Sequence, residues 1–174
     1  MGRLWIKVVL LLALCSLFVS QARSQEEKYI TLYVYNFTKY IEWPDEYKAG
    51  DFVIDVLGHN SVYVKLQEML KGKSRGTQNF VINHPPTVKE IDPDCNILFV
   101  GHWRSKDLEA ALGKVGKHGT LIVTEKSGML QHGSNINLII KNQKIKYELK
   151  KSSLKESGLS YSIDLTTLAE RVIE

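Results

Sequence analysis

Polar and aromatic residues follow three apolar segments of this chain, at the points where those segments end. The three ends are Gly58-His59-Asn60, Gly101-His102-Trp103-Arg104 and Thr124-Glu125-Lys126. In an open α/β sheet, ligands bind outside the carboxyl ends of the strands. A glycine lets a ligand approach the backbone, an indole ring offers a stacking face, and a guanidinium can bind a carboxylate or phosphate through two hydrogen bonds. We therefore identify a candidate ligand or partner surface, formed by His59, Asn60, His102, Trp103, Arg104 and Glu125.

The segment after the third end, residues 125–133, is polar and irregular in pattern. Function concentrates on loops that a rigid sheet holds. We therefore add Met129, an adaptable apolar contact, and the imidazole of His132 to the candidate surface. A simpler interpretation stays open, and the sequence favours it: the Gly-His pairs form turns, and the polar residues around them are a solvated rim.

The short motifs of common catalytic and cofactor sites are absent or lie in the wrong place. The chain contains no GxGxxG, P-loop or HExxH sequence, and its one GxSxG match, GKSRG at residues 72–76, falls in a predicted loop rather than between a strand and a helix. Its five histidines show no i, i+4 spacing, which argues against a zinc site. Cys95 begins a buried apolar run, where a thiol is inert. We predict no catalytic, cofactor or metal site; catalytic groups that converge from distant positions leave a hydrolase open as the last alternative.

The first two dozen residues have the order of a secretory signal. Two basic residues precede a run at residues 8–19 that is apolar except for Ser16, and small residues follow it. Such a run is too short to span a membrane, which needs about 20 apolar residues. We predict a signal peptide over residues 1–22 with cleavage after Ala22 or Ser24, export to the periplasm, no transmembrane segment after processing, and one domain over residues 26–174.

The composition of the processed chain limits its partners. Removal of Arg3, Lys7 and, with cleavage after Ser24, Arg23 leaves 20 basic and 19 acidic residues, so the chain lacks the basic surface that nucleic-acid binding requires. Several lysines surround a predicted hairpin near the C-terminus. They protect an edge strand against aggregation or, alternatively, attract an anionic partner or membrane surface. Cys95 is the one cysteine after processing, which excludes an internal disulfide.

Apolar segments of strand length alternate with segments of helical periodicity. We predict strands over residues 51–57, 79–82, 96–100, 120–124, 136–140 and 144–150, and helices over 29–41, 60–71, 105–115 and 165–173. We expect Asn60 or Ser61 to cap the second helix, Ser105 to cap the third, residues 71–76 to form a flexible loop, and a four-residue turn to join the hairpin. This order predicts an α/β single-domain sandwich, with a mostly parallel sheet, helices on both faces and an antiparallel edge hairpin.

The first helix organises the predicted core. Apolar residues recur along it with helical spacing, which predicts that Phe37 is buried against the sheet. Thr31 and Thr38 fall on the opposite, outward side. Pro44 forces its predecessor Trp43 out of the α region and ends the helix. Trp43 is then a core or rim aromatic or, alternatively, an anchor for a partner.

The chain also resembles a known family. The run YNFTKYIEWP at residues 35–44 is similar to the opening signature of the YfiR/HmsC-like family of periplasmic regulators. The segments that follow come in the family's order: FVIDVLG, CNILFVG, TLIVTEKSGMLQHG, the hairpin, and the closing SGLSYSIDLTTLAERV. The resemblance therefore covers nearly all of the chain after about residue 28.

The resemblance implies a function that the residues alone do not show. Members of this family restrain a membrane-bound signalling enzyme, typically a diguanylate cyclase, by binding its periplasmic sensor region, which ties them to cyclic di-GMP output and biofilm formation. The family also occurs beside sensor kinases, so the implied partner is a membrane-bound diguanylate cyclase or sensor kinase; a homodimer stays open. We expect a non-enzymatic periplasmic regulator, and the alternative is a periplasmic small-molecule-binding sensor. Some relatives carry disulfides, which Cys95 alone does not permit.

Overall fold

One eight-stranded sheet forms the centre of the protein in a computed structural model that describes residues 25–116 and 118–174. In spatial order, its strands are β10 (Arg171–Ile173), β8 (Lys144–Lys150), β7 (Ile136–Lys141), β6 (Leu121–Thr124), β5 (Ile97–Val100), β2 (Phe52–Leu57), β4 (Gln78–Asn83) and β3 (Ser74–Arg75). The strands from β4 to β7 run parallel, and so do β8 and β10. The β7–β8 hairpin and the β3–β4 pair are antiparallel. The predicted α/β architecture with a mostly parallel sheet is confirmed.

Helices cover both faces of this sheet, as predicted. A first helix, α1 (25–40), and α2 (Asn60–Leu70) pack on one face, and α3 (Leu108–Val115) packs on the other. Two short helices, α4 (Lys151–Glu156) and α5 (Ile163–Thr167), follow β8. Since successive side chains of a strand point to opposite faces, β5 contributes Ile97 and Phe99 to the first core and Leu98 and Val100 to the second. A strand buried on both faces has the continuous apolar run that predicted it.

The signal peptide, its cleavage sites and Ser24 lie outside the described residues. No helix of the described residues is long and apolar enough to cross a membrane. The strand β1 (Ile41–Glu42) follows α1 directly and pairs with β9 (Ser160–Tyr161) in a separate two-stranded ribbon. The first helix therefore ends one residue earlier than its predicted end at residue 41.

The C-terminal segment differs from its prediction. Residues 165–173 were expected to be one helix, but α5 ends at Thr167, and Arg171–Ile173 form β10 along the outer edge of β8. The free backbone groups of β8 provide hydrogen-bonding partners that a single-sequence pattern does not show. Arg171 Nε also lies 2.8 Å from Glu148 Oε1 across this pair.

The hairpin turn and the start of α3 also differ from their predictions. The β7–β8 turn has two residues, Asn142 and Gln143, at φ angles of 49° and 59°. Positive φ at both positions gives the turn a twist that matches the strands, so a longer turn is unnecessary. Residues His102–Asp107 form a 3-10 helix that leads into α3, and the predicted cap by Ser105 is absent.

The helix α1 buries its predicted apolar stripe against the hairpin. Phe37 is 1% exposed and contacts the ring of Tyr147 edge to face, with centroids 5.2 Å apart. The prediction that Thr31 and Thr38 face outward is wrong, because both are buried. Their hydroxyl groups donate to carbonyl oxygens within the same helix, at 2.8 Å and 2.7 Å. A hydroxyl satisfied in this way does not need water.

The predicted flexible loop at residues 71–76 contains β3, and the side chain of Arg75 in this strand is held by hydrogen bonds to the end of α1 and the residue after it. Its Nε donates to the carbonyl oxygen of Thr38 at 2.8 Å, and its Nη2 donates to that of Ile41 at 3.0 Å. Carbonyl groups at a helix C-terminus lack partners within the helix. Arg75 supplies those partners and lies over the ring of Trp43, 5.0 Å from its centroid.

Asp55, in the middle of β2, is fully buried on the α3 side of the sheet. Its carboxylate accepts hydrogen bonds from the backbone N–H of Asp92 at 2.8 Å and from Asn83 Nδ2 at 3.0 Å. Burial raises the pKa of the Asp55 carboxyl above its usual value, and these two hydrogen bonds offset part of that rise.

We expect Asp55→Asn to change the dependence of stability on pH. Because the folded-state pKa of Asp55 is raised, its stabilising contribution is present below the unfolded pKa of about 3.9 and is lost as the pH rises through the folded-state pKa. A neutral amide avoids this loss and can keep both hydrogen bonds if Asn83 rotates its own amide. The variant should therefore gain stability relative to the wild type as the pH rises.

Urea unfolding from about pH 4 to about pH 7 measures this difference. The control is Asp51→Asn, at the exposed position just before the same strand, which removes one charge without removing a buried group. Stability curves that run parallel for Asp55→Asn and the wild type would contradict the prediction.

Candidate functional site

The candidate surface lies where the strand order of the sheet reverses. The helix α2 follows β2 on one face and leads to β4, whereas α3 follows β5 on the opposite face and leads to β6. The strands β2 and β5 are neighbours, so the chain moves away from them in opposite directions. In open α/β sheets, ligands bind in the crevice at such a switch point. The two Gly-His pairs, which follow β2 and β5, both border this crevice.

The glycines of these pairs let the two strand ends approach each other. The N–H of Gly101 donates to the carbonyl oxygen of Leu57 at 2.9 Å. A Cβ at position 101 would lie 2.8 Å from the carbonyl oxygen of Gly58, closer than a side chain tolerates. Gly58 has a φ of 78°, which glycine adopts at little cost. Both positions therefore need glycine for the crevice to have this shape.

Arg104 does not line the crevice. Its side chain lies across Gly58, where an added Cβ would be 2.0 Å from Arg104 Cγ. Arg104 Nη1 donates to the carbonyl oxygen of Pro86 at 3.1 Å, and Arg104 Nε donates to the carboxylate of Asp107. The guanidinium is thus occupied by acceptors of the protein itself, and Arg104 positions the turn that carries Trp103.

Three of the predicted residues meet at the floor of the crevice. Glu125 Oε1 accepts a hydrogen bond from the backbone N–H of His102 at 2.6 Å, and Glu125 Oε2 lies 3.7 Å from His59 Nε2. His59 Nδ1 accepts the N–H of Val62 at 3.4 Å, so His59 caps α2 in place of the predicted Asn60 or Ser61. Since Nδ1 is the acceptor, neutral His59 carries its proton on Nε2, on the side of Glu125.

An open cleft of about 510 Å³ lies above this floor. One wall is the end of β7, which continues to Lys141 beyond its last pair with β6 at Asn137. The other walls are the first described turn of α1, the start of α2 and the turn that contains Trp103. Trp103 is 79% exposed, and Ile140 of the β7 wall is 63% exposed. The volume falls in the range of about 300–1,000 Å³ for small-molecule sites.

The structure brings five of the eight predicted site residues around this cleft: His59, Asn60, His102, Trp103 and Glu125. Met129 and His132 lie in a second, smaller cleft of about 340 Å³, next to Ser105, Lys106 and Glu109. Met129 also packs against the core on the α3 side of the sheet. The residues predicted to form one surface therefore line two separate clefts, and Arg104 lines neither of them.

Sequence reasoning missed the cleft residues that come from α1 and the hairpin. These are Glu26, Glu27, Ile30, Leu138, Ile139, Ile140 and Ile145. They are distant in sequence from the strand ends and reach the cleft because α1 and the hairpin pack together. The length of the β7–β8 hairpin, compared with the four residues of β6, is the one sequence signal that could have indicated a projecting wall.

The charged side chains that line the cleft are acidic. Glu26, Glu27 and Glu125 border it, and no Lys or Arg among the described residues does so. Lys65 approaches one of them from outside the lining, with its Nζ 3.8 Å from Glu27 Oε2. In residues 25–116 and 118–174, no group of three or more His, Cys, Asp or Glu side chains is placed to hold a metal ion.

Solved structures of similar fold are α/β domains. A conserved domain protein from Vibrio cholerae O1 biovar El Tor str. N16961 aligns with a TM-score of 0.50 and 10% identity, over 70% of this chain and 54% of that chain. The ABC domain in complex with L-Trp from Streptococcus pneumoniae aligns with a TM-score of 0.52 and 11% identity, over 70% of this chain and 55% of that chain. This chain spans about half the length of each, and at such identity the likeness shows the fold alone.

The sequence itself gives a more specific relationship. No curated protein matches the chain. The family described as YfiR/HmsC-like matches residues 28–170, which include every strand except β10 and all residues of the strand-end cleft except Glu26 and Glu27. The match confirms the resemblance that began at residues 35–44, and the chain belongs to the YfiR/HmsC-like family.

Proposed function

We propose that this protein is a periplasmic regulator that binds the sensor region of a membrane-bound signalling enzyme, a diguanylate cyclase or a sensor kinase, and restrains it without turnover. Membership of the YfiR/HmsC-like family supports a regulator of this kind. The strand-end cleft is the binding surface in this proposal, and cyclic di-GMP output is the signal that the diguanylate cyclase partner controls.

One observation carries this assignment: two large apolar side chains, Trp103 and Ile140, line a cleft with a polar floor and are themselves exposed. Tryptophan is enriched among the residues that dominate binding energy at protein interfaces. A solvated turn has no need of an indole ring that the rest of the protein leaves 79% exposed. The exposed ring and the isoleucine therefore favour a binding surface over the simple solvated rim.

Crosslinked capture from membranes tests the proposal. The purified protein should crosslink to a membrane-bound signalling enzyme in a one-to-one ratio, and Trp103→Ala should weaken capture at least tenfold, since a residue of this kind contributes about 2 kcal/mol or more. The control is Ile163→Ala, another apolar side chain that is 77% exposed but lies outside the cleft. Loss of the protein should raise the output of its membrane partner.

The same experiment separates the two clefts. His132→Ala and Met129→Glu change the second cleft and should leave capture intact if the partner binds at Trp103. Capture that fails with these variants and survives Trp103→Ala would move the partner to the second cleft. Absence of any captured signalling enzyme, or an effect at substoichiometric amounts, would contradict the proposed function.

A second candidate is a periplasmic small-molecule sensor that uses the same cleft. The polar floor of His59, His102 and Glu125 favours it, because a few convergent polar groups in an apolar-walled cleft are typical of ligand sites. Native mass spectrometry of the purified protein tests it. A bound small molecule that disappears in Trp103→Ala would support the sensor, and a spectrum of the protein alone would favour the regulator.

A further inference from the structure

We propose that the strand-end cleft accepts a basic segment of the partner protein, in which an arginine or lysine points at Glu125 and apolar neighbours contact the walls. This inference rests on the proposed function and specifies the chemistry of the partner. It reverses the expectation from the sequence, in which Arg104 would have offered a guanidinium to an anionic ligand.

The charges of the cleft select a cation. Its lining carries the carboxylates of Glu26, Glu27 and Glu125 without a lysine or arginine among the described residues, and Arg104 is bound to Pro86 and Asp107. Lys65 offsets the charge of Glu27 from outside the lining. The side chain of Glu125 is 11% exposed, so solvent and salt screen its charge less than that of a surface carboxylate. An anionic occupant would be repelled, and a cationic one attracted.

The walls of the cleft suit a long basic side chain. Beside the polar residues of α1 and α2, they include six apolar residues: Ile30, Leu138, Ile139, Ile140, Ile145 and Trp103. The methylene stem of lysine or arginine packs on such a surface while its charged end reaches a carboxylate. The exposed face of an indole ring also attracts a cation, and arginine most often.

The openness of the rim favours a protein segment over a free small molecule. Small-molecule sites bury roughly 70–90% of their ligand, whereas Trp103 at this rim is itself 79% exposed and Ile140 is 63% exposed. An occupant that covers both side chains must extend beyond the cleft. A segment that projects from a larger surface does so, because its flanking residues cover the rim.

Fluorescence anisotropy with three labelled peptides tests the charge. The peptides share one apolar sequence and differ at the central residue, which is arginine, the neutral isostere citrulline, or glutamate. The protein variant is Glu26→Gln with Glu125→Gln, since glutamine at position 125 can still accept the N–H of His102. The control is Glu68→Gln with Glu156→Gln, two exposed acidic residues outside the cleft, which changes the net charge equally.

We expect the arginine peptide to bind at least tenfold more tightly than the citrulline peptide, and the glutamate peptide to bind most weakly. The cleft variant should lose this preference, and the control should keep it. Equal binding of the three peptides, or no measurable binding of the arginine peptide, would overturn the proposal. N-acetylarginine amide that binds as tightly as the arginine peptide would overturn its assignment to a protein segment.

Membrane capture distinguishes failure of this inference from failure of the proposed function. If the wild type captures the signalling enzyme and the cleft variant captures it equally well, the charge proposal is wrong and the proposed function stands. If the wild type captures no such enzyme, the proposed function is wrong.

Discussion

Replacing Trp43 with alanine should destabilise the protein by about 3–5 kcal/mol, the usual cost of removing a large aromatic side chain from a core. Trp43 is 2% exposed, and its ring contacts Phe52 edge to face with centroids 4.9 Å apart. Its Nε1 donates to the carbonyl oxygen of Asn96 at 3.1 Å. Alanine would leave a cavity and would remove one of the two hydrogen bonds to the Asn96 carbonyl oxygen, which also accepts the Leu121 N–H at 2.8 Å. It would also remove the nearer of the two aromatic rings beside the Arg75 guanidinium. The alternative of a partner anchor does not fit a side chain with so little exposed surface.

The measurement is the melting temperature, which should fall by roughly 6–20 °C for a domain of this size. Trp103→Ala is the matched control, because it removes the same side chain from a position that is 79% exposed. It should change stability by less than about 0.5 kcal/mol. Equal losses for the two tryptophans would show that one of them is placed in the wrong environment.

Phe37→Ala should cost a similar amount, about 3–5 kcal/mol. Phe37 is 1% exposed and lies against Tyr147, and Tyr33 stacks on it with centroids 6.1 Å apart. Its removal therefore opens a cavity at the contact between α1 and the β7–β8 hairpin. Such a cavity is costly because the surrounding helix and strands are each held by their own backbone hydrogen bonds and relax only in part.

Urea unfolding of Phe37→Ala measures this cost, and Leu32→Ala on the same helix is the control. Leu32 is 42% exposed, so its truncation should cost less than about 1 kcal/mol. Thr38→Ala, the control that the sequence suggests, is unsuitable because Thr38 is buried and hydrogen-bonded. A midpoint shift as large for Leu32→Ala as for Phe37→Ala would contradict the assignment of the buried face.

Local sequence patterns correctly predicted those strands and helices in which the apolar residues themselves mark the buried side chains. The run ILFV identified β5 correctly, and the predicted strand 144–150 is β8, whose alternate residues Ile145, Tyr147 and Leu149 are buried. The failures depend on partners elsewhere in the chain. Residues 171–173 are a strand because β8 offers an unpaired edge, and Thr38 is buried on a side of α1 that Arg75 of β3 approaches, with Arg75 Nε donating to the Thr38 carbonyl oxygen.

The candidate site shows the same division. The residues at the strand ends could be predicted, because the carboxyl ends of parallel strands meet at one edge of a sheet. That β2 and β5 are adjacent in the sheet could not be predicted from these residues. It depends on the path of the chain after β4, which crosses to the other side of β2 before it forms β5. The acidic character of the cleft depends on the docking of α1, and the direction of Arg104 depends on Pro86 and Asp107.

The contact between α1 and the hairpin sets an order in time for the folding of the chain. The hydroxyl of Tyr33 donates to the carbonyl oxygen of Ile145, 112 residues later, and Phe37 meets Tyr147. Chains are synthesised at roughly 5–20 residues per second. Ile145 and Tyr147 are therefore synthesised on the order of 10 s after the residues of α1 that contact them. The residues of β2 to β6 are synthesised before that point, so we expect these strands to be able to pair before α1 has its partners in the hairpin. The strand-end cleft includes residues of both α1 and β8, so we expect it to be among the last parts of the molecule to form.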